Sequence, residues 1–330
     1  MKRSGDGALL IYIMNIIFVS YSNPNDRKAW SGTTFEIYHS LEKSINNILN
    51  VQLESRSFKI FKLVVQKASH LFRYPIIDFN TTIFGSRIYG RILDRKIRHL
   101  PIKPDEIDFI VIPAGASVAA YSKYGAKIVL INDATFDSMK NYYYNTTHTK
   151  IINNAETIDQ KALDNAGLVI LSSQWAVNSV IGHYAEPKSK VHLLRFGANL
   201  PDLNTIQLSR SIEGKKVVYL LLVGVSWVRK GVPTAIETVH ILNEQQNDKV
   251  FRLIIIGFDK PEGWNDDQVS FEGKLYKDND NDLSRLVSAY ERADIFFLPT
   301  KAEAAGIVFC EAAMFSLPVV TYDTGGSNTE

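Results

Sequence analysis

Short apolar runs alternate with longer helical patterns along nearly the whole chain, and this alternation constrains the fold more than any other feature. A strand covered on both faces reads as an unbroken run of β-branched and aromatic residues, and parallel sheets flanked by helices bury strands in that way. Such runs predict strands at 15–20, 108–112, 127–131, 168–172 and 191–195, and again at 217–223, 252–257, 269–272, 293–299 and 317–321. Between them, helical spacing predicts helices at 33–49, 87–100, 155–166, 175–184, 234–247, 283–292 and 306–315. The class is therefore α/β, built from βαβ units. The two series are separated by the polar stretch RFGANLPDLNTIQLSRSIEGKK, which reads as a linker. With 330 residues there is length for two domains, expected at 14–197 and 215–330 with a linker at 198–214. No repeat of solenoid length is visible.

The N-terminus places Lys2 and Arg3 before ALLIYIMNIIFV. That apolar run is too short to span a bilayer, and no small-residue cleavage site follows it. From Met14 the chain reads as the first strand of a nucleotide-binding fold, so residues 1–13 are expected to be a tag or an extension. A net charge of +2 argues against a nucleic-acid partner. The charge is unevenly spread, however. Residues 56–103 carry eleven Lys or Arg against Asp78 and Asp94, a balance of +9 that leaves −7 for the rest. The single cysteine, Cys310, excludes an intrachain disulfide, fits a reducing compartment and is expected in the core. The sequons at Asn80 and Asn145 are common by chance and carry little weight in a cytosolic protein.

The richest chemistry lies in PTKAEAAGIVFCEAAMFSLPVVTYDTGG. Glu303 falls in the loop leaving a predicted strand, and Glu311 about a turn and a half inside the next helix. The helix N-terminus, near Ala305 to Ile307, offers backbone N–H groups and the positive end of a dipole. A diphosphate fits there, between two carboxylates suited to sugar hydroxyls. A lone pair of glutamates at this spacing reads most simply as a helix cap and a surface residue. The preceding strand, Gly306 and the trailing PVV-x3-TGG argue for a site instead.

This segment resembles the donor-site signature of retaining GT-B glycosyltransferases of family 4. Relatives read E-G-F-G where this chain has Glu303-Ala304-Ala305-Gly306. The resemblance implies two Rossmann-like domains facing across a cleft. It implies a nucleotide-sugar donor held by the second domain, with Gly306 and Ile307 at the diphosphate, Glu311 at the ribose hydroxyls and Glu303 at the sugar. Arg229 and Lys230, in the loop after the strand ending at Gly224, would neutralise the departing diphosphate, since ligands bind at the carboxyl ends of parallel strands. Relatives often carry an arginine where this chain has Val225. In the first domain, Ser31-Gly32-Thr33 precedes a predicted helix, a phosphate-approaching loop or a plain N-cap. Relatives carry a histidine where this chain reads Asn132-Asp133, making Asp133 the candidate for acceptor or reacting sugar, with a helix N-cap as its other reading. Gly197 and Asn199 would border the cleft.

The expected activity is therefore a metal-independent, hexosyltransferase-type retaining transfer to a glycan or lipid-linked hydroxyl, with no cofactor beyond the donor. The rivals are a non-catalytic GT-B-like binding subunit and, disfavoured by the glutamate spacing, a nucleotide-sugar epimerase. Relatives continue past the equivalent of Glu330, so the chain is expected to stop short of a final helix. Asp278, Asp280 and Asp282 mimic a calcium loop, but Leu283 and Ala289 stand where it needs glycine and glutamate, so they read as a polar loop capping a helix at Leu283. The run FRLIIIG at 251–257 lacks G-x-G-x-x-G, which argues against a nicotinamide cofactor. Finally, Arg87, Arg91, Arg95 and Arg98 recur at helical spacing opposite Ile88, Ile92, Leu93, Ile97 and Leu100, and residues 58–73 mix Phe, Leu and Val with lysines. A basic amphipathic surface of this kind is expected either to face water or to lie on an anionic membrane, placing the protein in the cytoplasm at the inner membrane face.

Overall fold

The computed structural model describes residues 14–71, 79–143, 148–201 and 211–327. The expectations for residues 1–13, for Asn145 and for most of the 198–214 linker lie outside them. Two compact units result, residues 1–171 with 176–194 and residues 172–175 with 195–330.

The first unit is a six-stranded sheet. Its strands are β1 (Asn15–Ser20), β2 (Asn47–Gln52), β3 (Phe109–Pro113), β4 (Ile128–Asn132), β5 (Leu168–Leu171) and β6 (Val191–Leu193). They lie in the order β2-β1-β3-β4-β5-β6, every neighbouring pair parallel. Helices α1 (Thr33–Ser44), α2 (Arg56–Leu71), α3 (Ile83–Ile97), the short α4 (Ala116–Ala119) and α5 (Phe136–Met139), α6 (Thr149–Asn165) and α7 (Gln174–Gly182) connect them. The core gathers the apolar runs of β1, β3 and β4 with Tyr89, Leu93 and Ile97 of α3. Each fully buried aliphatic side chain of this kind contributes about 1.5–3 kcal/mol.

Two local readings are corrected here. The helix expected over 33–49 ends at Ser44, and residues 47–52 form the edge strand β2. The third helix starts at Ile83 rather than at 87, because the Thr82 hydroxyl accepts from Gly85 N–H and caps it.

The second unit is a five-stranded parallel sheet of β7 (Val217–Val223), β8 (Val250–Ile256), β9 (Val269–Phe271), β10 (Ile295–Leu298) and β11 (Val319–Thr321), in the order β11-β10-β7-β8-β9. Its described helices are α8 (Val232–Gln245), α9 (Asp280–Arg292) and α10 (Ile307–Met314). Tyr290 of α9 stacks on Phe315 with ring centroids 5.0 Å apart, and on Phe296 of β10 at 6.0 Å. The Asp278–Asp282 loop does cap a helix, but the capping side chain is Asn279, which accepts from Asp282 N–H at 3.0 Å and starts α9 at Asp280.

Both sheets reverse their winding direction once, between β1 and β3 in the first unit and between β7 and β10 in the second. At such a switch point the loops leaving two adjacent strands run to opposite sides of the sheet. A crevice opens at the carboxyl ends, which is where open α/β sheets bind ligands.

Candidate functional site

In the second unit the crevice is formed by the loop after β7 and the loop after β10. The first loop turns tightly into α8. Lys230 N–H donates to Ser226 O at 2.8 Å, and Val232 N–H to Trp227 O at 3.1 Å. Trp227 anchors this loop by packing edge-on against Phe258, at 5.3 Å between centroids. Gly231, at φ 69°, presses against the second loop, where a Cβ would lie 2.0 Å from Pro299 O. Only glycine satisfies both the left-handed backbone and that approach. The loops are also stitched by Lys301 N–H to Arg229 O at 2.7 Å and by Arg229 Nη1 to Ala302 O at 2.9 Å.

This stitching brings Lys230 and Glu303 together, 73 positions apart in sequence, with the Lys230 ammonium bonded to Glu303 Oε2. Both side chains are almost wholly buried. Burial holds the Lys230 pKa below the usual lysine value, opposed by the neighbouring Glu303 carboxylate. The backbone of Glu303 is fixed from behind, since its carbonyl accepts from Gly326 N–H at 2.8 Å. A Cβ on Gly326 would sit 1.6 Å from Ala304 O, so the TGG segment must pass with no side chain there.

Three residues after Glu303, Gly306 takes the left-handed conformation as N-cap of α10, and Ile307 opens the helix. The first-turn N–H groups of a helix have no intrahelical acceptor and point outward along the axis. Glu311, only 1% exposed, projects from the second turn. Its two oxygens are taken by the Lys277 ammonium and by the Tyr290 hydroxyl, the latter at 3.1 Å. Tyr290 is fully buried, and burial together with the Glu311 charge raises its pKa well above the ordinary tyrosine value. Cys310, expected in the core, is only half-buried and donates its thiol to Phe196 O at 3.3 Å. Burial and the nearby Glu311 charge raise the thiol pKa, which keeps it protonated and unreactive.

Asp133 and Gly32 belong to the first unit. Gly32 ends a left-handed turn in which Trp30, Ser31 and Gly32 all have positive φ, and it is the N-cap of α1 with no side-chain cap. Asp133 follows β4 and accepts from Trp30 Nε1 at 3.1 Å, so the two candidates are coupled through Trp30. The N-cap role weighed for Asp133 falls instead to Thr135, whose hydroxyl accepts from Ser138 N–H.

Asp133 lines a cavity of about 470 Å³ at the carboxyl ends of β1, β3 and β4, shared with Tyr21, Ser117, Asn132, Phe136 and Asp159. Burial raises the Asp159 pKa to about 7, helped by the Glu156 charge and opposed by the hydrogen bond from Phe136 N–H. Asp159 was not singled out from sequence. Its signal was a carboxylate among the buried positions Ala155, Ile158 and Ala162 of an amphipathic helix. Lys277 and Tyr290 were also missed.

The family described as "Glycosyl transferases group 1" matches residues 217–330, the stretch that carries Lys230, Glu303 and Glu311. Over this stretch the second unit is similar to the group 1 glycosyltransferases. It is 24% identical over 220 residues to a D-inositol 3-phosphate glycosyltransferase of Corynebacterium glutamicum, covering 61% of this chain and 51% of that protein. It is 31% identical over 136 residues to the lipopolysaccharide glucosyltransferase WaaG of Escherichia coli, covering 38% of this chain and 34% of that protein. The chain spans about half the length of the first of these curated relatives, or less. The sucrose-phosphate synthase structure of Thermosynechococcus elongatus superimposes with a TM-score of 0.59 at 13% identity, covering 96% of this chain and 82% of that one. The architecture is GT-B, as the glutamate-bearing segment implied.

Proposed function

We propose that this protein is a glycosyltransferase that takes a nucleotide-sugar at the switch point between β7 and β10 and transfers its sugar, with retention, to a hydroxyl of a glycan or lipid-linked acceptor. The observation that carries this reading is the convergence of Lys230, Glu303, the α10 N-terminus and Glu311 on the loops of that one crevice. The diphosphate meets Lys230 and the first-turn N–H groups of α10. Arg229, tied by one guanidinium nitrogen to Ala302 O, adds positive charge beside them. Glu311 accepts from the ribose hydroxyls, its carboxylate oriented by Lys277 and Tyr290 and retaining further lone pairs for that purpose. Glu303 faces the sugar.

In the reaction the bond from the anomeric carbon to the diphosphate oxygen breaks, and its electron pair goes to the leaving phosphate. Lys230 stabilises that developing charge in a site from which water is largely excluded, where such stabilisation is strongest. The acceptor oxygen bonds the same face of the anomeric carbon, and its proton passes to the departing phosphate. Cations and a helix N-terminus do the work of a divalent metal, so none is required. In the first unit, Asp133 and the polar wall of the β1–β3–β4 cavity suit a polyhydroxylated acceptor.

Calorimetry with UDP and GDP in the presence of a chelator tests the donor half. Binding of one nucleotide without metal is expected. Binding that appears only on adding Mg²⁺ or Mn²⁺ overturns metal independence, and a chain that binds neither nucleotide and turns over no member of a nucleotide-sugar panel overturns the reading.

A further inference from the structure

The second helix of the first unit is exposed on the wrong face. Among the described side chains of RSFKIFKLVVQKASHL, Phe58 and Val65 are the partly buried apolar ones packed against the core. Ile60, Leu63 and Val64, which share one face at spacings of three and four, are 56%, 57% and 60% exposed. Phe61 beside them is 41% exposed. An ordinary surface helix turns its apolar stripe inward and its polar side to water. The patch continues onto α3. The Phe61 and Phe84 rings flank Phe79 at 6.0 and 6.1 Å, and Phe84 is 61% exposed.

Cations frame this apolar surface. Arg56, Lys59 and Lys67 are exposed on α2. From Phe84, one stripe of α3 runs through Arg87, Arg91, Arg95 and Arg98, all exposed. Lys62 is the α2 cation turned inward, pairing with Glu54 at 2.6 Å.

We propose that α2 and the N-terminal turn of α3 dock on an anionic phospholipid bilayer, with Ile60, Phe61, Leu63, Val64 and Phe84 entering the acyl boundary and the arginine stripe lying on the phosphates. Charge complementarity selects this occupant. A second copy of the chain would set the same cations against one another, whereas an anionic bilayer offers apolar depth beneath a negative surface and answers both features at once. The proposal is independent of the donor-site reading, because docking needs no nucleotide.

Co-sedimentation of the full chain with vesicles tests it, using phosphatidylcholine alone or mixed with phosphatidylglycerol, at low and high salt and without nucleotide. The wild type is expected to sediment with the anionic vesicles and to be only partly released by salt. Changing Arg87, Arg91, Arg95 and Arg98 together to Gln removes the salt-sensitive part. The triple change Ile60→Ser, Leu63→Ser and Val64→Ser lowers partitioning on the order of a hundredfold, from the lost apolar transfer of three side chains. Since all three positions are exposed, its melting temperature should match the wild type. As a second readout, Val64→Trp should give an indole emission that shifts to the blue on anionic vesicles. A wild type that stays in the supernatant overturns the proposal. So does a triple-serine variant that sediments like wild type, or one that merely converts a dimer to a monomer in sedimentation velocity.

Discussion

The pairing of Lys230 with Glu303 makes a prediction in which stability and activity part company. Changing Lys230→Met leaves the Glu303 carboxylate almost fully buried without its cation. Breaking a buried pair from one side costs about 3–5 kcal/mol, mostly for the stranded charge. In a protein of this size each kcal/mol moves the melting temperature by about 2–4 °C, so a drop on the order of 10 °C is expected. Glu303→Gln alone is milder, about 1–3 kcal/mol, because an amide oxygen still faces the ammonium. In the double variant neither charge is buried, and the loss relative to wild type should be only about 1–2 kcal/mol. The diagnostic is therefore a reversal of sign, with Glu303→Gln destabilising the wild type and stabilising the Lys230→Met background. Calorimetric melting of the four proteins measures it, and turnover of the donor is assayed alongside. The double variant should recover most of its stability and none of its activity. If Glu303→Gln lowers the melting temperature by the same amount in both backgrounds, the two groups are not coupled and the reasoning fails.

Three further perturbations probe the rest of the site. Glu311→Ala should weaken nucleotide binding by about 1.5–3 kcal/mol, whereas Glu303→Ala should act mainly on kcat; titration calorimetry and initial rates separate them, and equal small effects on both would count against the assignment. Asp159 has a folded pKa of about 7, above its ordinary value of 3.8, so it adds stability that is full below the unfolded value and lost as pH rises through about 7. Asp159→Asn should accordingly flatten the fall in melting temperature between acidic and neutral pH, and an unchanged profile would show that this carboxyl does not titrate there. Gly326→Ala, whose Cβ meets Ala304 O, should cost about 1–3 kcal/mol in urea unfolding and also slow turnover, because relief of the overlap shifts the loop that carries Glu303.

Strands buried on both faces were the most legible elements. Those at 15–20 and 217–223 lie where their β-branched runs place them. The strand β2 was not legible, because it is an edge strand with one fully buried residue and its apolar positions continue the helical pattern of α1. The glutamate-bearing loop and helix could be read locally, and so could the loop holding Arg229 and Lys230. Their meeting could not, since it depends on β10 lying beside β7, a strand order that no local pattern encodes. Lys277 and Tyr290 were hidden for the same reason, reaching Glu311 from 34 and 21 positions away. Tyr290 still left a trace, a hydroxyl on the inward face of α9 beside Leu286 and Ala289. The exposed face of α2 required the structure, because sequence periodicity shows that a helix is amphipathic but not which side the core takes.

The winding order of the second sheet bears on how the protein is made. Its strands are not laid down from one edge to the other. Those from β7 to β9 build outward in one direction, and the chain then returns to place β10 on the opposite flank of β7 and β11 beyond it. Lys230 emerges early from the ribosome, and Glu303 follows 73 residues later. The backbone contact that fixes Glu303 waits longer still, for Gly326. Until then the flank of β7 that β10 will cover is an open, apolar edge, a hazard that long-range parallel pairing prolongs. The proposed donor site is thus complete only once both flanks of β7 have closed, so that nucleotide binding by a nascent chain would report the completion of the sheet.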